Sequence, residues 1–235
     1  MSAIYKRELR SYFTTAVGYV FLAIIVALSA VAFSLTTILQ ASNDVTTYFT
    51  VLLFILMVAL PVLTMKLFSE ERKMRTEQLL LTAPVSIAKI VTAKFFAAFT
   101  VFFGANLLCS LAYITLFIYS EPEGGIILGN IIAITLVGAA FIAVGIFVSS
   151  LTENQLAAAI GTFGILLAML GIGLLSSVIP WYPVRYVLGW FSILTRYSNF
   201  TNGFFDFAAL FYYASVCFIF LFLTCRVLER RRYSA

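Results

Sequence analysis

Six apolar runs, each at or near the ~20 residues a helix needs to cross a bilayer, constrain this chain before any other feature. They occupy residues 16–39, 48–68, 87–119, 126–151, 156–179 and 208–225. Of the 235 residues, 63% are hydrophobic and 11% charged; a soluble domain carries ~25% charged residues. A packed aqueous core cannot hide that much apolar surface, so lipid is the expected solvent. Backbone in lipid must satisfy its own hydrogen bonds. The expected fold is an all-α membrane protein, six transmembrane helices in one domain over residues 1–235.

The connections carry the rest of the layout. Residues 1–15 place Tyr5, Leu9, Tyr12 and Phe13 on one side and Lys6, Arg7 and Arg10 on another, the pattern of an amphipathic interfacial helix. Ala30-Val31-Ala32 in the first run would suit a cleavable leader. That run exceeds the ~7–15 apolar residues of a signal, so a retained span is expected. Pro61 is expected to kink the second span. The third run is longer than a bilayer requires, so its start, with Lys89 and Lys94, is expected to protrude into the cytoplasm. Gly138 and Gly145 in the fourth run, and Gly161, Gly164, Gly171 and Gly173 in the fifth, predict close helix approach. Residues 180–207 hold Trp181, Tyr182, Tyr186, Trp190 and Tyr197, broken by Pro183, Gly189 and Gly203. They read as short re-entrant external helices at headgroup level, before helix six.

Charge sets the orientation. With both termini cytoplasmic, thirteen of the fifteen Lys and Arg lie inside, and only Arg185 and Arg196 lie outside. The positive-inside rule selects that arrangement. The basic residues flank apolar runs instead of forming a stripe, which argues against nucleic acid despite the net charge of +5.

Much chemistry is missing. The chain has no histidine, no nucleophile–base pair and no Gly-x-x-x-x-Gly-Lys-Ser/Thr phosphate cradle. No span carries an acid or base near its middle, where ion-coupled carriers place one. The chain is therefore expected not to be an enzyme and to bind no metal or cofactor. Cys109, Cys217 and Cys225 read as apolar packing residues. Thr100, Asn106 and Ser110 in the third span are weak candidates for a substrate path, with a helix–helix hydrogen bond the alternative role for Asn106.

The one long polar interruption is residues 69–86, Ser69-Glu70-Glu71-Arg72-Lys73-Met74-Arg75-Thr76-Glu77-Gln78-Leu79-Leu80-Leu81-Thr82-Ala83-Pro84-Val85-Ser86. Charges and a Leu triplet, ended by Pro84, predict a short surface helix able to grip a soluble partner. Ser86 is placed to cap the next helix.

These residues carry a resemblance. Phe68 to Lys73, Thr76 to Ser86, Ile90-Val91 and Lys94-Phe95 resemble the signature of ABC-2 type exporter permeases. Ile4-Tyr5-Lys6-Arg7-Glu8-Leu9 with Val17-Gly18-Tyr19 is similar to the gliding-motility-associated branch. Ser149-Ser150-Leu151-Thr152-Glu153-Asn154-Gln155 before an Ala-rich span also resembles the family. The resemblance implies an N-terminal elbow helix, a coupling helix between helices two and three, and re-entrant external helices. It implies a bacterial cytoplasmic membrane, two ATPase subunits that carry ATP and Mg, and a second permease subunit, the same or homologous. The expected contacts with the ATPase are Glu70, Glu71, Arg72, Lys73, Arg75, Thr76, Glu77, Gln78 and Pro84, with Leu79 and Leu80 as the apolar anchor. One residue departs. The family places Gly where this chain has Arg75, and a left-handed turn is strained with Arg. That predicts a different start to the coupling helix, and an Arg75 side chain directed at acidic partner residues. The function implied is that of an exporter permease driven by ATP hydrolysed elsewhere. A non-transporting membrane anchor and, behind it, an ion-coupled carrier are the alternatives.

Overall fold

The computed structural model describes residues 2–39, 45–78, 85–119, 124–178 and 206–234, with 189, 192, 193, 196 and 197. Every extended element among them is helical. The helices are α1 (Ser2–Thr14), α2 (Ala16–Phe33), α3 (Thr46–Thr64), α4 (Lys66–Lys73), α5 (Ile87–Ser110), α6 (Tyr113–Tyr119), α7 (Gly124–Leu151), α8 (Gln155–Val178) and α9 (Phe207–Ser234); a π turn, Ser34–Ile38, extends α2. Among the described residues, six stretches are long and apolar enough to span a membrane: Ala16–Ile38, Thr46–Lys73, Ile87–Ile118, Gly124–Leu151, Gln155–Leu174 and Phe207–Arg232. The apolar runs therefore match the helices, with shifted ends. The second span runs through a single turn residue, Met65, to Lys73, and the third breaks at Leu111-Ala112. The last helix continues past the expected stop at 225, carrying Arg226, Arg230 and Arg231 on helical backbone.

Burial ranks the spans. The fourth is 67% buried and the second 61%, whereas the fifth and sixth are each 22% buried. The α7 helix is thus the hub, packed on α3, α5, α8 and α9. The outer helices turn large side chains outward, including Ile160, Phe211 and Phe218, as lipid-facing surfaces do.

Two glycines of α7 act as expected. A Cβ on Gly138 would sit 2.2 Å from the Phe102 ring, and one on Gly145 would sit 2.1 Å from Thr64 Oγ1. The expectation fails for the fifth span at two positions: nothing lies within 4 Å of a Cβ on Gly164 or Gly171. Cys109 is buried in the core, and all three cysteines are free thiols. Ser86 holds the N-cap position of α5, but its hydroxyl makes no cap bond; its carbonyl accepts from Lys89 N and Ile90 N.

At the other end, aromatic hydroxyls tie the chain together. Tyr48 OH and Ser29 Oγ are 2.6 Å apart, Tyr197 donates to Phe49 O at 3.0 Å, and Tyr213 donates to Ile193 O at 3.1 Å. Most of the 180–207 re-entrant expectation lies outside the described residues; Ile193 and Tyr197, inside it, are buried.

Candidate functional site

The polar connector after the second span begins as a continuation of that span. Glu70, Glu71, Arg72 and Lys73 are the last residues of α4, so the expected surface helix does not start at residue 69. The α4 helix stops because the backbone turns left-handed at Arg75, with φ 58°. Arg75 N donates to Arg72 O at 3.1 Å and Thr76 N donates to Glu71 O at 2.9 Å. That crossed pair is the Schellman ending, in which the position after the cap is usually glycine. Arg75 itself thus takes the left-handed position at the end of α4. Helical backbone resumes at Glu77 and Gln78. Leu79, Leu80 and Pro84 lie outside the described residues. A Cβ in the left-handed region costs roughly 1–2 kcal/mol. Arg75→Gly is therefore expected to stabilise the protein by about 1 kcal/mol, while Arg75→Ala brings no gain. Thermal unfolding in detergent checks both.

Four charges bind this connector to the N-terminal helix. Lys94, whose side chain is 1% exposed, reaches Glu71 Oε1 at 2.9 Å and Glu8 Oε1 at 3.2 Å. It also donates to Leu67 O at 2.7 Å and lies 4.9 Å from the centre of the Phe68 ring. Arg7 bridges Glu8 at 2.7 Å and Glu71 at 3.0 Å. The Glu8 hydrogen bond raises the Arg7 guanidinium above its ordinary value, against partial burial. Two cations and two carboxylates cancel, which is what burial of charge requires. A cavity of about 270 Å³ opens beside them, lined in part by Ser11, Tyr12, Lys66 and Thr76.

This corrects one expectation. Lys94 does not protrude into water; it is the buried centre of the cluster. Glu8 lies on the inward face of α1 with Tyr12. The sequence signal was a lone lysine two turns inside an apolar helix, which demands a nearby counter-charge.

The fourth span grips the same connector. Ser149 Oγ accepts from Phe68 N at 3.1 Å and Ser69 N at 3.2 Å, and donates to Met65 O at 3.0 Å. It caps α4 from another helix. Arg72 donates to Leu151 O at 2.8 Å and pairs with Glu153 at 3.0 Å. On the far side Arg231 of α9 pairs with Glu77 at 3.2 Å. Glu70 pairs with Lys66 at 3.7 Å. The expected partner contacts therefore divide. Glu71, Arg72 and Glu77 hold the chain's own elements together, whereas Lys73, Arg75 and Thr76 are exposed, beside Met74 at 67%. Gln78 is exposed too.

The three substrate-path residues do not converge. Thr100 meets Tyr5 OH at 3.0 Å, Asn106 donates to Thr135 Oγ1 at 3.0 Å, and Ser110 donates to Leu107 O of its own helix. Asn106 thus makes the helix–helix hydrogen bond.

Six apolar spans and a braced polar connector define a multi-pass helical membrane protein. Residues 50–231 match the family model described as ABC-2 family transporter protein. The chain belongs to that family, whose members are membrane transport components of ABC transporters. No curated protein matches the chain.

Proposed function

We propose that this chain is the permease subunit of an ATP-binding cassette exporter in a bacterial cytoplasmic membrane, with both termini cytoplasmic. It works with two ATPase subunits, which carry ATP and Mg, and with a second permease subunit, the same or homologous. In this reading α1 is the elbow helix, the backbone from Glu77 onward enters the coupling helix, and residues 180–207 are external and re-entrant. The similarity of Ile4–Leu9 and Val17-Gly18-Tyr19 to the gliding-motility-associated branch supports the finer placement.

The observation that carries the proposal, beyond family membership, is the bracing of the connector. ATP binding closes the ATPase dimer and pushes on the backbone beyond Arg75. The push enters α4 and passes to α5 and α1 through Lys94 and to α7 through Ser149. A connector that only satisfied the positive-inside rule would need no such fastening. The test is co-purification with the ATPase subunit. The wild type is expected to retain the ATPase, and the Leu79→Asp, Leu80→Asp double variant to lose it. Undiminished association removes the proposal.

A further inference from the structure

The groove between α1 and α4 holds two charged groups with hydrogen-bonding capacity to spare. Glu71 Oε2 is buried and has no hydrogen-bond partner among the described residues, although Oε1 of the same carboxylate takes Arg7 and Lys94. The Lys66 side chain is 17% exposed, and its contacts are long: Thr15 Oγ1 at 3.4 Å and Glu70 at 3.7 Å. Both groups line the cavity of about 270 Å³ described above, far more than the ~10–15 Å³ that seats one water. We infer that this cavity binds the headgroup of one phosphatidylethanolamine, its phosphate at Lys66 and its ammonium at Glu71 Oε2, with the acyl chains left in the adjoining leaflet.

Order along the groove is the first argument. The α1 helix runs antiparallel to α4: Thr15, just past its end, meets Lys66, and Arg7 meets Glu71. Lys66 begins α4 and is separated from the apolar α3 by Met65 alone. Glu71 stands five helical residues further along, about 7.5 Å. Going outward from the bilayer, the groove therefore offers a cation and then a carboxylate. A phosphatidylethanolamine presents its phosphate and then its ammonium in the same order. Which leaflet donates the lipid follows from the orientation proposed above; the binding does not depend on it.

Charge is the second argument. Among the described residues, three cations, Arg7, Lys66 and Lys94, and three carboxylates, Glu8, Glu70 and Glu71, line the cavity. A wall that sums to zero accepts a zwitterion without covering a net charge, whereas a singly charged anion leaves one. Hydrogen bonding narrows the class further. Glu71 Oε2 needs a donor; a primary ammonium brings three N–H groups, and the quaternary ammonium of phosphatidylcholine brings none. Ser11, one turn before Thr15, lines the same cavity and adds a hydroxyl donor for the phosphate.

The experiment uses the full chain purified in a non-ionic detergent. Phosphatidylethanolamine, phosphatidylcholine and phosphatidylglycerol are titrated in, and bound lipid is counted by native mass spectrometry. The wild type is expected to prefer phosphatidylethanolamine to either of the others by about tenfold, the worth of one hydrogen bond to a charged group. Glu71→Gln leaves the wall with one net positive charge and is expected to reverse the order in favour of phosphatidylglycerol. Lys66→Gln is expected to weaken binding of all three lipids. Equal affinities in the wild type, or a phosphatidylethanolamine preference that survives Glu71→Gln, overturn the inference. If Glu71→Gln does not fold, undiminished binding by Lys66→Gln overturns it instead. Soluble phosphoethanolamine is expected to displace the lipid only in large excess; displacement at equal concentration assigns the cavity to the soluble compound and overturns the lipid assignment. None of these readouts involves the ATPase, so failure here leaves the transport proposal standing.

Discussion

Lys94→Met is expected to lower the stability of the protein by roughly 3–5 kcal/mol, the cost of stranding a buried counter-charge. The methionine keeps the length of the side chain and its contact with Phe68, so volume is not the cause. What is lost is the cation between Glu8 and Glu71, the two carboxylates it touches at 3.2 and 2.9 Å. Arg7 remains on both, but its side chain is 55% exposed and screened by water. A second change separates charge from packing. Adding Glu71→Gln to Lys94→Met removes one stranded carboxylate and is expected to recover part of the loss. Chemical or thermal denaturation in detergent measures both; equal stability of Lys94→Met and wild type refutes the role given to Lys94.

The second large effect is expected at Gly145. A β-branched side chain there meets Thr64 Oγ1 at 2.1 Å and Thr64 Cβ at 2.8 Å. Thr64 is fully buried and its hydroxyl donates to Leu60 O, so it has nowhere to retreat. Gly145→Val is expected to cost about 3 kcal/mol. Gly164→Val supplies the control. It makes the same chemical change at an exposed glycine with open space around it, and is expected to change stability by less than about 0.5 kcal/mol. Similar losses for both variants would show that helix propensity, not the α3–α7 contact, sets the cost. Because Gly145 lies one turn from Ser149, Gly145→Val is also expected to loosen the cap on α4.

What the sequence made legible follows from the physics of each element. Spans were legible because length and apolarity suffice to specify them. Gly138 and Gly145 were legible because a small residue on a long apolar helix has few uses besides close contact. Gly164 and Gly171 carry the same signal but face open space, which no single sequence reveals. The connector was legible as a polar interruption, yet its internal division was not. Residues 70–73 carry charges that look like a surface, and only tertiary contact shows that Glu71 is turned inward toward Glu8 and Lys94. Those three residues are 63 and 23 positions apart along the chain, beyond any local pattern. Arg75 is the instructive case. The strain of a left-handed arginine was foreseeable, and the fold accepts it: two crossed hydrogen bonds at the end of α4 hold the turn against the side chain's preference.

The Ser149 hydroxyl has a consequence for how the two halves of the molecule can move. One oxygen serves three backbone groups of the second span at once. A slide of one helix along the other strains all three bonds at once, because they share a single atom. Contact between the second and fourth spans is thereby pinned at one point, just where the polar connector begins.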